Sequence, residues 1–440
     1  MPTLSILARP DRRQTPATEW KGNRVADTER PRAAEGRFAS SQLAWSPCRW
    51  MVLAIAGLTL QPIAWSASYY VSPNGNDSRS ANQARNRNTP WRNVERAMQR
   101  INPGDEVVML AGTYNQDIWI RNGGRENAPI RLRAEFREAA RVLGYVYCDN
   151  QSHVVVDGLD VTNTRSSGFT KGIQFYLCHH VTVRSCRVRD CYGAGISFDR
   201  CDWILAEWNV SHGNAFFDVA QHSGINVYQP YRLAGGSDDY GVVIRNNTSY
   251  GNANFANSLL FGKPTDGNGI IVDDTTNVQD GGRGEYGRPI LIENNICYSN
   301  GGNGIHTYLS SNLTIRNNTC VANRFNVDFG GDISVSRSRN VAVYNNVAIA
   351  RSGSTNAMLQ YEGEGNFFFR NLINGPVRDV PFDGSSFYGD PNFLPNTFTP
   401  SGGSVLVDAG FDGGDHFPVD SQGSPRFIGA LDIGAVEAVR

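Results

Sequence analysis

Two short patterns alternate along the middle of the chain. The first is a pair of apolar positions ending in Asn-Asn, at Val243–Asn247, Leu291–Asn295, Thr314–Asn318 and Ala342–Asn346, with degenerate copies at Val181–Ser185 and Trp203–Glu207. The second is Gly-Ile followed by alternating residues, beginning at Gly172, Gly195, Gly224, Gly269 and Gly304. Period-2 alternation over such short runs predicts strands, not helices. Val183 and Leu205 are 22 residues apart, and Ile292 and Ile315 are 23 apart. A unit of this length holds three short strands and three turns and cannot close a core by itself. Stacking successive units buries the inward Ile and Val rows against each other. The pattern predicts an all-β, single-stranded right-handed parallel β-helix, a solenoid. The Asn-Asn corners fit, because Asn tolerates the left-handed backbone of a sharp bend and its amide reaches the Asn of the next coil. This corner role outweighs glycosylation at sequons such as Asn317–Thr319.

Two spacings are longer, 39 residues from Leu205 to Ile244 and 48 from Ile244 to Ile292. Such insertions in a regular solenoid are usually functional. They contain Tyr228–Arg232, Ser237–Asp239 and Phe261–Lys263, and they place a site in one region of the stack. At the front, Tyr69–Asp77, then Pro90–Met98, then Pro103–Asp105 and Ala111–Tyr114 read as strand, short helix, strand. That helix caps the first coil and blocks edge-to-edge pairing. The expected divisions are a leader over 1–67, the helix over 68–375, and a terminal segment over 376–440 packed on the last coils.

The chain has 440 residues, 46 Gly and a net charge of −1. The charge balance gives no basic footprint for nucleic acid. Met51–Leu60 is a short apolar run followed by Ala64-Trp-Ser66, a small-x-small cleavage site. This reads as a signal peptide rather than a membrane span, behind an n-region long enough to suggest a start codon assigned too early. The implied protein is secreted or periplasmic, off the membrane after cleavage, and monomeric. Eight cysteines fit export. Cys178 and Cys201, and Cys297 and Cys320, are each 23 residues apart and face each other in neighbouring coils, either as disulfides or as stacked thiols. No CxxC spacing marks a zinc site.

Strand parity sorts the side chains after each Gly-Ile. Phe175, Phe198, Val227, Val272 and Thr307 point inward. One outward row is Gln174, Ser197, Asn226, Ile271 and His306; the other is Tyr176, Asp199, Tyr228, Asp273 and Tyr308. Such a strip of Tyr, Asp, His and Asn suits a sugar chain, with Tyr176, Tyr228 and Tyr308 stacking and Asn226 and His222 binding hydroxyls. Asp266, Asp273 and Asp274 crowd nine residues and either hold Ca²⁺ or cap turns. Lys171 and Lys263 are two of only three lysines. Lys171 is expected to be solvated, and Lys263 is a candidate base.

The opening Tyr70–Asp77, with Pro103–Asp105 and Gly112–Tyr114, resembles the start of secreted polysaccharide lyases of families 9 and 6, within the pectate-lyase-like β-helix superfamily. The resemblance covers the pattern of residues 69–375. It implies a parallel β-helix acting on an acidic polysaccharide. Family 9 enzymes use a calcium cluster of aspartates and a lysine base; that cluster has no residue-by-residue match here.

Two chemistries are open. A calcium-assisted lyase would hold metal at Asp199, Asp266, Asp273 and Asp274 and move the proton at His306, Lys263 or Tyr228. An inverting hydrolase would use Asp199 and Asp273, two coils or about 9.6 Å apart. A carbohydrate-binding protein without catalysis needs only the Tyr row.

Overall fold

The structure, a computed structural model, describes residues 66–438 except 238, 260, 280–282, 352–354 and 428. The leader expected ahead of Ser66 lies outside the described residues. Three parallel sheets of 10, 11 and 11 strands run along the stack, and every coil contributes in turn to each. This is the β-helix that the repeat predicts. The 10-stranded sheet carries the Gly-Ile strands: Ile173–Tyr176, Ile196–Asp199, Ile225–Tyr228, Ile270–Asp273 and Ile305–Tyr308, then Gly331–Ser336 and Asn356–Tyr361.

The register is the one read from the sequence. Ile173, Ile196, Ile225, Ile270, Ile305 and Ile333 are Cα partners in succession. All six are fully buried, as are Phe175, Phe198, Val227, Val272 and Thr307. The glycine before each of the first five Ile has a steric cause. A Cβ at Gly195 would meet Gly224 O at 2.7 Å, and one at Gly269 would meet Gly304 O at 2.6 Å. The coils approach too closely at this corner for any side chain.

The Asn-Asn corner divides its labour. The first Asn (Asn246, Asn294, Asn317, Asn345) adopts the left-handed conformation, with φ between 54° and 56° at three of them and 52° at Asn317. The second points inward. Asn209 Nδ2 donates to Asn247 Oδ1, Asn247 to Asn295, Asn295 to Asn318, Asn318 to Asn346 and Asn346 to Asn371, each at 3.0 Å. A second ladder runs through Asn214, Asn252, Asn300 and Asn323.

The front is covered by helices Ala81–Ala84 and Val94–Met98. At the far end, strands Val377–Arg378 and Phe387–Tyr388 extend the stack. The remaining tail turns back along the Asn corner and reaches beyond the last coils. Asn246 and Asn294 donate to Asp420 O and Val419 O, and Phe411 N donates to Asn345 Oδ1. The first Asn of each pair thus ties the tail to the solenoid.

All seven described cysteines are free and buried. Cys297 and Cys320 are register partners. Cys178 contacts both Cys201 and Cys148, with its Sγ 3.7 Å from Cys148 Sγ. Of the two arrangements the spacing left open, the stacked thiols are present, and Cys148 adds a third rung on one side.

Candidate functional site

The outward face of the 10-stranded sheet is the floor of a groove of about 900 Å³. Both outward rows read from strand parity lie on it in register. Gln174, Ser197, Asn226, Ile271 and His306 are successive partners, and so are Tyr176, Asp199, Tyr228, Asp273 and Tyr308. Segments from the long insertions wall it: Val219–His222, then Ser258, Leu259, Phe261, Lys263, Thr265 and Asp266, and Gln279. The insertion after Tyr228 turns the other way. Leu233 N and Ala234 N donate to Asp202 Oδ2, and Trp203 Nε1 donates to Gly235 O, so this loop covers the opposite corner of the sheet.

Each carboxylate has a different environment. Asp199 is buried at the floor. Its Oδ1 accepts from Ser197 Oγ at 2.8 Å, and its Oδ2 accepts from Lys171 Nζ at 2.7 Å and Gln174 Nε2 at 2.6 Å. Burial alone would raise its pKa. The Lys171 ammonium outweighs burial and holds the carboxyl below the usual range. Lys171, expected to be solvated, is therefore a half-buried partner of Asp199. Asp273 faces the groove and accepts from Gln279 Nε2 at 2.8 Å. Burial pushes Asp266 up to about 6, against hydrogen bonds from Thr265 and Asn268. Asp274 is fully buried and points away from the groove. It accepts from Gln229 Nε2 and from the backbone N–H groups of Val278 and Gln279, which is turn capping.

Asp266, Asp273 and Asp274 were expected together as a metal site. Among the described residues they do not form a group with ligand atoms within 4.8 Å of one another. The sequence places them close, but strand alternation sends Asp273 outward and the left-handed turn at Asp274, φ 52°, sends it inward.

The histidines also differ. His222 Nδ1 is 2.5 Å from Asp218 Oδ2. Burial would raise the Asp218 pKa, but the bond from His222 holds it below the usual range. An aspartate at Nδ1 fixes the ring and leaves Nε2 for another partner. His306 sits in the floor, 4% exposed, with no partner at either ring nitrogen. Burial lowers its pKa to about 4, so it is neutral at pH 7. Lys263 stands at the rim, 2.9 Å from Asp328. Arg200, Arg337 and Arg378 also line the groove. Of the five cations there, Lys171 pairs with Asp199, Lys263 with Asp328, Arg337 with Glu362 and Arg378 with Asp379.

Strand parity thus identifies the floor, including Tyr176, Tyr228, Tyr308, Asn226 and His306. It overlooks Asp218, although Asp218 and His222 stand four residues apart, and it overlooks the arginines, Arg200 and Arg337 in turns that parity does not order and Arg378 in the strand Val377–Arg378, past the Gly-Ile units.

A family model described as right handed beta helix region matches residues 122–229. No curated protein matches the chain in sequence. Among solved structures, the chain is similar to the pectate lyase Pel9A, with 17% identity, 86% of this chain and 98% of that chain covered, and a TM-score of 0.53. It is also similar to an alginate lyase from Paenibacillus sp. str. FPU-7, with 16% identity, 67% and 96% covered and a TM-score of 0.35. A lacto-N-biosidase from Eubacterium ramulus gives 12% identity, 74% and 67% covered and a TM-score of 0.44. The match and the Pel9A likeness give the fold: this chain is a right-handed parallel β-helix protein. Among the described residues, no helix is long and apolar enough to cross a membrane.

Proposed function

We propose that this protein is a carbohydrate-active enzyme that cleaves a uronate-containing polysaccharide by β-elimination in the groove, outside the cytoplasm. The observation that carries the reading is the His222–Asp218 pair in the groove wall, close enough to the Lys171–Asp199 ion pair for His222 to act on the Asp199 charge. A base fixed by a carboxylate beside a lysine is what proton removal next to a carboxylate requires.

In this reading the sugar chain lies across the strands, with Tyr176, Tyr228 and Tyr308 offering ring faces and Asn226 offering hydrogen bonds. Lys171, with Arg200, meets the substrate carboxylate and makes the C5 proton acidic. His222 Nε2 takes that proton, and Asp218 stabilises the imidazolium. A double bond forms between C4 and C5 as the C4–O4 bond breaks, and the proton passes from His222 to the departing O4. Asp199 stays ionised and positions Lys171. Ca²⁺ is not needed for any of these steps. Since the expected aspartates do not converge, none is assigned to it.

A hydrolase is the second reading, and Asp266 favours it, because a carboxyl near 6 can donate a proton close to neutral pH. Asp199, with both oxygens engaged by donors, is a poor acid for that role. Incubation with pectate, alginate and glycosaminoglycans separates the two. Ultraviolet-absorbing unsaturated ends support elimination. New reducing ends without absorbance support hydrolysis, and neither product on any polymer refutes both.

A further inference from the structure

Three of the seven histidines meet at a single place outside the groove. His153 lies near the start of strand Ser152–Asp157, and His179 and His180 open strand His179–Arg184 in the next coil. His153 and His180 both take the left-handed conformation, at φ 54° and 53°, which histidine adopts more readily than most residues. This shared bulge turns both rings the same way. They stack with centroids 4.5 Å apart and planes 17° apart. His179 meets them edge-on, and its Nδ1 is 2.8 Å from His180 Nδ1. One ligand nitrogen from each ring lies within 4.8 Å of the other two.

We propose that His153, His179 and His180 bind one divalent transition-metal ion of the zinc type at this corner of the stack. Three imidazoles with an open fourth position are a recurrent donor set for zinc, and oxygen-seeking Ca²⁺ and Mg²⁺ are poor competitors for it. Zn–N bonds of about 2.0–2.1 Å need nitrogens about 3.4 Å apart, so the widest pair closes by about 1.4 Å at most. Ring rotation supplies that movement without moving the strands.

Trp203 of the following coil stacks on His180 at 5.6 Å and shields one side. Of the acids felt at the cluster, Asp202 is committed to Tyr286 Oη and the loop amides, while Glu126 is exposed. Bound metal would fasten two neighbouring coils together. None of the three histidines lines the groove, so the site is independent of the proposed cleavage.

The test uses the full chain without a polyhistidine tag. Calorimetric titration with Zn²⁺ is expected to give one ion per chain, undisturbed by millimolar Ca²⁺. His179→Gln should weaken binding at least 10-fold, and His153→Gln with His180→Gln should abolish it. Zn²⁺ should raise the Tm of the parent chain and leave that of the double variant unchanged. A readout on the unaltered protein is carbethoxylation mapped by mass spectrometry, where Zn²⁺ should protect His153, His179 and His180 selectively. No stoichiometric binding, equal binding by the variants, or protection confined to His212, His222 or His416 overturns the proposal.

Discussion

Lys171 Nζ lies 2.7 Å from Asp199 Oδ2, joining the residue before one glycine corner to the last residue of the groove strand in the next coil. Both side chains are little exposed, 13% and 12%. Removing the cation leaves a charged carboxylate in a site made for a pair. Lys171→Met should therefore destabilise the fold by roughly 3–5 kcal/mol at pH 7. The pair also sets a pH dependence. Asp199 has a depressed folded pKa, so its contribution is complete above the unfolded value of about 3.9 and is lost as pH falls through the folded one. Urea unfolding at several pH values checks both points. The penalty should shrink below about pH 4; a constant penalty would show that Lys171 acts through packing alone.

Asp266 has the opposite sign. Its folded pKa of about 6 lies above the unfolded value, so the folded state holds the proton more tightly. The burden of ionising it is absent below the unfolded pKa, grows between the two values, and is fully present above pH 6. Asp266→Asn should stabilise the chain at pH 8 by up to about 3 kcal/mol, less whatever solvent screens at this half-buried position. At pH 4 the gain should nearly vanish. Denaturation curves at the two pH values decide it, since an equal effect at both would mean that Asp266 is not held protonated.

The solenoid was legible in the sequence because its causes are local and periodic. Gly195 and Gly269 are required by coil contact, Asn246 and Asn294 by backbone conformation, and Ile196 and Ile270 by burial, so each coil writes the same signs at the same spacing. The groove floor was legible for the same reason, through parity from Gln174 to Tyr308. The chemistry was less so. Asp273 and Asp274 are adjacent in sequence but face opposite sides of the wall. Lys171 finds Asp199 only after a coil of chain has passed, and Asp218 meets His222 within an irregular insertion. His153 and His180 are 27 residues apart, which matches the local coil length between Ser152 and His179. That spacing sits just ahead of the Val181–Ser185 unit, outside the apolar and Asn positions that repeat.

The inner Asn ladder should be a cooperative source of stability. Asn318 is fully buried. Its amide donates to Ile292 O, Arg316 O and Asn346 Oδ1, and its carbonyl oxygen accepts from Asn295 N and Nδ2. Asn318→Ala would leave several buried backbone groups without partners, each worth roughly 1–3 kcal/mol. A loss of at least about 3 kcal/mol is expected. Asn371, at the end of the ladder, engages Val343 O, Phe369 O and Asn346 N in the same way but donates to no further Asn, and Asn371→Ala should lower the Tm by less. Thermal unfolding of the two variants tests the ranking, and equal shifts would contradict it.

Activity gives the sharpest contrast between His222 and His306, which share the groove. His222 is fixed through Nδ1 by Asp218, while His306 is buried, unpartnered and neutral at pH 7. If His222 moves the proton, His222→Ala should lower kcat on the order of 10²–10⁴-fold with the fold intact. Asp218→Asn should lower kcat by a smaller factor, since the ring survives but loses the charge that fixes its tautomer. His306→Ala should leave kcat within a few fold of the parent, because a buried ring with a pKa near 4 has little power as a base. The His306 variant should keep the parent pH profile between 5.5 and 8, because a ring with a pKa near 4 does not titrate there. The polymer is whichever of pectate, alginate or a glycosaminoglycan the parent chain cleaves. A large kcat loss in His306→Ala, with His222→Ala near parental, would move the proton transfer from the wall of the groove to its floor.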